Sequence, residues 1–282
     1  VTALPDRATL ETALDVAARA PSLRNLQPWR WEVDGPAVHL FADWSRRAGD
    51  SSFDRRDVLL GCGAVLDHCV VALSAAGWQP RVHRFPDRGD DDHLAILEVV
   101  EQPPSGGHLE LAAAISRRRT DRRPYLEEHL VAGTVEMLYI RAARLGVELG
   151  VVPRSRWSLL ADGAVALRYP PNTAGEPADG AVLLVVGTRD DDDAMRLRAG
   201  EALSHLTLTA TAAGLATCPL TEPLNDVRSC LALACEVFDG NAHPQALIRV
   251  GIPAPDTDPP PATERRSVNE ITTWTGTSAG ES

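Results

Sequence analysis

The sequence predicts an α+β protein made of two fused half-repeats. Helical and strand-like periodicities alternate along its 282 residues. Two apolar runs, 181–187 (AVLLVVG) and 246–251 (ALIRVG), read as buried strands. Residues 62–77 align without a gap on 199–214, pairing Gly63 with Gly200, Leu66 with Leu203, His68 with His205 and Ala75–Gly77 with Ala212–Gly214. Two copies of one α+β unit in a single chain would mimic a homodimer, with the small residues of both helices packing closely at a pseudo-twofold axis.

The elements follow in order. Residues 7–19 read as an amphipathic helix with Leu10, Ala13, Leu14 and Ala17 on one face, ended by Pro21. Strands are expected at 29–33 and 37–41, turning at Asp34-Gly35. A long helix, rich in small residues, is expected over 58–76 and closes on Gly77. Strands at 80–85 and 94–100 flank the acidic loop Asp87–Asp92, read as solvated. Helices are then expected near 108–117 and over 130–145, with a strand at 147–152. After the buried run at 181–187 come an acidic turn at Asp190–Asp193, a helix over 196–213 closing on Gly214, a helix over 227–237 and the last buried strand. The proline-rich tail from Pro253 is expected to wrap the surface.

Composition narrows the function. There are 39 acids against 28 bases, a net charge of −11, so bulk affinity for nucleic acid or anionic membrane is not expected. All 28 bases are arginine. This excludes Schiff-base lysine chemistry and a phosphate-loop lysine, so an anion must be held by arginine, backbone amides or hydroxyls. The sequence contains no run of eighteen apolar residues, which argues against a spanning helix. Its first residues do not read as an apolar signal segment. The five cysteines (62, 69, 218, 230, 235) form no Cys-x-x-Cys pair and read as reduced, mostly buried thiols of a cytoplasmic protein. The eight scattered histidines suggest no metal site.

Three strings could carry chemistry. Pro21-Ser22-Leu23-Arg24-Asn25-Leu26-Gln27-Pro28-Trp29 joins a helix end to a strand, where Ser22, Asn25 and Gln27 offer donors and acceptors to the edge of a planar ring. The same string reads equally as a capped turn anchored by Trp29. Ser116–Arg123 puts five arginines in seven residues, and guanidinium forks with the Thr120 hydroxyl suit a phosphate. It reads equally as a solvated basic face. Gly214–Leu224 stops a helix and runs on extended between prolines, either as backbone facing a flat ligand or as a connector. Cys218 is a candidate thiol within it. Gly61-Cys62-Gly63 reads as a helix start, too short for a dinucleotide fingerprint. No catalytic acid, base or nucleophile is apparent, a pattern that suits a cofactor bringing its own reactivity.

The order of these motifs resembles the nitroreductase-like FMN proteins, and within them the dormancy-associated Acg group of actinobacteria. The matching strings are ARAPSLRNLQPWRW (18–31), LLGCGAVLDHCVVAL (59–73), RRRTDRRPY (117–125), ATAAGLATCPLTEPL (210–224), PQALIRVG (244–251) and PPATERR (260–266). The resemblance implies a nitroreductase α+β fold, with a first half over 1–104 and a second, carrying the phosphate site, over 105–271. It implies one FMN per chain between the halves. Arg118, Arg119, Thr120, Arg122, Arg265 and Arg266 would hold the phosphate. Pro21, Ser22, Leu23 and Asn25 would contact the ring, and Pro219, Leu220, Thr221 and Glu222 would line its N5 side.

The implied activity is hydride transfer from NAD(P)H through the flavin to a nitroaromatic or quinone-type small-molecule acceptor. The alternative is an FMN storage or sequestration protein whose lid-covered flavin turns over little. The resemblance further implies a monomeric pseudo-dimer, open to further dimerisation. In one respect the sequence departs from the group. The group's lid insertion, with its Trp-Ser/Thr-Gly string, has no counterpart in 157–180, whereas Thr273-Trp274-Thr275-Gly276 ends the chain. Residues 272–282 are therefore expected to be a tail or a displaced lid fragment.

Overall fold

A computed structural model describes residues 5–87, 89–128, 130–169, 179–255 and 258–275. Helix α1 (Arg7–Ala17) starts where Asp6 accepts the Thr9 amide at 2.8 Å, and buries the expected face of Leu10, Ala13, Leu14 and Ala17. Strands β1 (Trp29–Asp34) and β2 (Ala37–Ala42) pair antiparallel. Helix α2 (Ser52–Ala75) follows, then β3 (Trp78–Arg84) and β4 (His93–Glu101), also antiparallel. Helix α3 (Gly106–Arg117) leads to α4 (Ala132–Arg144) and β5 (Glu148–Val151). A hairpin of β6 (Trp157–Leu159) and β7 (Val165–Leu167) precedes β8 (Val182–Thr188). Then come α5 (Asp193–Ala212), β9 (Ala216–Leu220), α6 (Val227–Phe238), β10 (His243–Gly251), the short α7 (Val268–Ile271) and β11 (Thr272–Thr275).

By contacts the chain divides into two units. The described residues of Val1–Ser116 with those of Thr263–Ser282 form one, and Arg117–Ala262 forms the other. The first unit holds the sheet β11-β1-β2-β4-β3 and the second the sheet β5-β8-β10-β9. Setting β11 aside, both sheets run first-second-fourth-third in chain order, with antiparallel neighbours. In both, the long helix lies between the second and third strands, and the preceding helix packs on it, α1 on α2 and α4 on α5. The internal repeat is therefore a repeat of topology. It extends to the helix ends, where Gly77 (φ +88°) and Gly214 (φ +82°) turn α2 and α5 into the strand that follows. A left-handed residue is needed there, and glycine takes it without a Cβ penalty.

Two expectations change. Helix α2 begins at Ser52, six residues ahead of the expected start. A capping box between Ser51 and Asp54 holds that end, so a polar first turn extends the apolar pattern. Gly61-Cys62-Gly63 consequently lies inside the helix. Helix α2 is also long and apolar enough to cross a membrane, contrary to the expectation from apolar runs, because Asp67 and His68 interrupt the run without lowering its mean much. That window is 83% buried within the protein, as a core helix is. The described end of the tail forms β11, which pairs parallel with β1. Of the segment expected to be a tail or a displaced lid fragment, Thr272–Thr275 forms this strand, and 276–282 lie outside the described residues.

Candidate functional site

In the first unit the Pro21–Pro28 string forms a tight loop. Three non-glycine residues within it, Arg24, Asn25 and Gln27, have φ of +47°, +58° and +50°. Such left-handed residues cost free energy and persist where surrounding contacts over-determine them. Those contacts are present here. The Gln27 amide donates to Ser22 Oγ at 2.9 Å, and the Asn25 side-chain amide donates to the Glu264 carbonyl at 2.9 Å. The Arg266 amide donates to Gln27 Oε1 at 2.8 Å, and Arg46 Nε to the Leu26 carbonyl at 2.6 Å. Arg265 reaches the Arg19 carbonyl at 3.2 Å. Gly61 of α2 lets the loop approach, since a Cβ there would lie 3.3 Å from both Ser22 Cβ and Pro28 Cγ. Burial, and then the neighbouring Arg46 charge, disfavours the Arg266 cation.

Pro21, Ser22, Leu23 and Asn25 thus stand together, half-buried, with Arg265 and Arg266 behind them. After these bonds Ser22 still has its O–H to donate.

In the second unit the arginine segment lies along β9. Thr120 bridges Thr217 in parallel register, and the Asp121 amide donates to the Thr217 carbonyl at 2.9 Å. This joins two strings about a hundred residues apart in sequence, Arg118–Arg122 and Pro219–Glu222. Pro219 and Leu220 end β9, Thr221 precedes the short helical turn Glu222–Asn225, and Arg122 lies 3.5 Å from the Glu222 carboxylate.

The guanidinium groups are not equivalent. Arg123 grips Asp121 at 2.9 and 2.7 Å and is spent on it. Burial pushes the Asp121 carboxyl up, but hydrogen bonds from the Arg123 side chain and backbone prevail and hold it below the usual carboxylate value. Arg119 donates to the Pro260 carbonyl at 3.1 Å, and Arg118 is buried. Arg122 is nearly half exposed, its side chain at 45%. Thr217 Oγ1 is buried at this seam without a hydrogen-bond partner among the described residues.

Cys218, the candidate thiol, is fully buried, and burial pushes it up to about 11. It is protonated at neutral pH and is no nucleophile. Among the described residues no three His, Cys, Asp or Glu side chains gather to hold a metal.

No family model matches the chain. A Mycobacterium tuberculosis protein provisionally named an NAD(P)H nitroreductase is 38% identical over 321 aligned positions, covering 97% of this chain and 93% of its own length. The Acg protein of the same organism, under the same provisional name, is 36% identical, covering 93% of this chain and 94% of itself. The chain belongs to the Acg group of nitroreductase-like proteins. A solved Anabaena variabilis protein, provisionally named a nitroreductase, shares the fold at a TM-score of 0.59 and 11% identity, over 89% of this chain and 90% of that one. The fold is thus the nitroreductase α+β fold.

The alignment with the first of these relatives opens gaps in this chain. The 321 aligned positions hold about 47 more than the 97% of its 282 residues that they take in, so that many face gaps here.

Sequence reasoning passed over Arg249, Tyr125 and Asp179, which sit under the arginine segment. Of these only Arg249 carried a signal, a single charge inside the apolar run ALIRVG. Gly61 shows its role only once it lies inside α2, facing the loop.

Proposed function

We propose that the chain binds one FMN and acts as an NAD(P)H-dependent oxidoreductase on nitroaromatic or quinone-type acceptors. The observation that carries this reading is the Thr120–Thr217 bridge, which joins the arginine segment to the Pro219–Glu222 string within one unit. The donor set suits a flavin phosphate. Arg118, Arg119, Arg122 and Arg123 fall within six residues; Asp121 pairs with Arg123, and Glu222 lies 3.5 Å from Arg122. The unpartnered Thr217 hydroxyl at the same seam suits a polar ligand.

In this reading Arg118, Arg119, Thr120 and Arg122 hold the phosphate, and Arg265 and Arg266 add positive charge while bracing the Pro21–Pro28 loop. Pro21, Ser22, Leu23 and Asn25 orient the ring, and Pro219 to Glu222 present backbone groups to it. When bound, FMN supplies hydride acceptance and donation at N5. The chain then needs no acid, base or nucleophile of its own; orientation and a fixed polar surround do its share. The protonated Cys218 accords with that division. The relatives' provisional names supply NAD(P)H as the reductant to try first.

The second reading is sequestration of a covered flavin. An anaerobic absorbance spectrum, before and after NADH or NADPH, separates the two. Reductase function predicts a flavin band that bleaches within seconds. A band that resists both nucleotides yet bleaches with dithionite would establish sequestration. Purified protein that takes up no FMN would overturn both.

A further inference from the structure

We infer that Arg249 is a positioning residue that makes this site select a phosphate-bearing flavin over one without a phosphate. The inference rests on the proposed FMN site and adds to it a residue that touches no ligand. Arg249 lies on β10 and is fully buried. Its NH2 donates to the Arg123 carbonyl at 2.5 Å and its NH1 to the Arg122 carbonyl at 3.3 Å. Its Nε lies 3.0 Å from Asp179 Oδ2, and its Cζ sits 4.2 Å over the Tyr125 ring. The partners of Arg249 hold the same segment. Asp179 accepts the Tyr125 amide at 2.9 Å, and the Tyr125 hydroxyl donates to the Asp121 carbonyl at 2.7 Å.

The hydrogen bonds among these all engage the backbone of 121–125, so the half-exposed Arg122 guanidinium is left with its 3.5 Å contact to Glu222. Two features argue for placement rather than stability. A buried ion pair contributes little net stability, because desolvating both charges offsets most of their attraction. An apolar residue there would leave the Asp179 carboxylate and two carbonyls buried without that partner, so the flavin ratio, not stability, is the readout. Only a planar fork can reach two successive carbonyls and a carboxylate at once. Gly251, at the end of β10, keeps the Tyr125 ring in register, since a Cβ there would lie 2.4 Å from Tyr125 Cδ2.

The test compares FMN with riboflavin, which carries the same ring and no phosphate. Dissociation constants for both are measured by flavin fluorescence on the full chain. Wild type should prefer FMN at least tenfold. Arg249→Met should weaken FMN at least tenfold and leave riboflavin within twofold, so that the preference collapses. Arg249→Lys, which keeps the Asp179 pair but cannot span both carbonyls, should recover part of it. Should Arg249→Met fail to fold, Gly251→Ala and Tyr125→Phe read the same ratio, and either should lower it. An undiminished FMN preference in the folded variants overturns the inference and leaves the FMN site standing. Wild type that binds no FMN, or binds both flavins equally, overturns the phosphate assignment itself and the inference with it.

Discussion

Arginine does the work of lysine throughout this chain, and its geometry separates structural from ligand-facing copies. Arg123 is closed on Asp121 and Arg249 on two carbonyls, whereas the half-exposed Arg122 has only a 3.5 Å contact with the equally exposed Glu222. The double variant Arg118→Ala/Arg122→Ala removes two charge-assisted contacts of about 1.5 kcal/mol or more each. FMN affinity should fall about a hundredfold or more, read by fluorescence titration; undiminished binding would undo the phosphate assignment. Asp121 makes a pH prediction. Its folded pKa lies below the ordinary 3.8, so its contribution to stability is present above that value and lost as pH falls through the folded one. Asp121→Asn should therefore be less stable than wild type by a constant margin from about pH 7 to 5, with the gap closing below about pH 4. Urea unfolding at several pH values measures that margin.

At the scale of elements, the loop 21–28 and helix α2 depend on each other through one missing side chain. Gly61→Val adds a Cβ that would lie 3.3 Å from Ser22 and Pro28, with two methyls beyond it. Overpacking of this kind costs about 1–3 kcal/mol. The strained loop should yield before the capped and buried helix does. Far-ultraviolet circular dichroism should stay near wild type while FMN affinity drops; lost helicity with affinity retained would reverse that order. Helix α2 also shows how an element can be legible in kind and misread in extent. Its apolar stretch was plain, but its first turn is polar and buried only in part, so periodicity could not find it. The Ser51–Asp54 capping box was the signal available.

At the scale of the molecule, two segments far apart in sequence, 5–116 and 263–275, build one unit. Residues 263–275 return to the first unit, supply β11 beside β1 and tie the loop through Glu264 and Arg266. A chain ending at Ala262 loses that strand and those bonds. Its thermal midpoint should fall by several degrees, and its FMN affinity by tenfold or more. A truncated chain with wild-type melting and affinity would show that the returning segment is decoration. The tail was read as a surface wrap because proline-rich composition carries no strand periodicity, and a four-residue edge strand is too short to show one.

Local patterning was enough for most of the fold. Apolar periodicity, Gly77 and Gly214 as helix stops and the 62–77/199–214 match identified two α+β halves, because these are properties of neighbouring residues. The candidate residues were legible by type, as arginines with a threonine in one string and serine with asparagine in another. Their assembly was not. That Thr120 lies on Thr217, that Asn25 is tied to Glu264, and that Arg249 sits under Arg122 and Arg123 are pairings across 97 to 239 positions. Hydrogen bonds over such separations leave no periodic trace in the chain. Only the packing of sheet, loop and returning tail decides which donor meets which carbonyl, and therefore which arginine is left to meet a ligand.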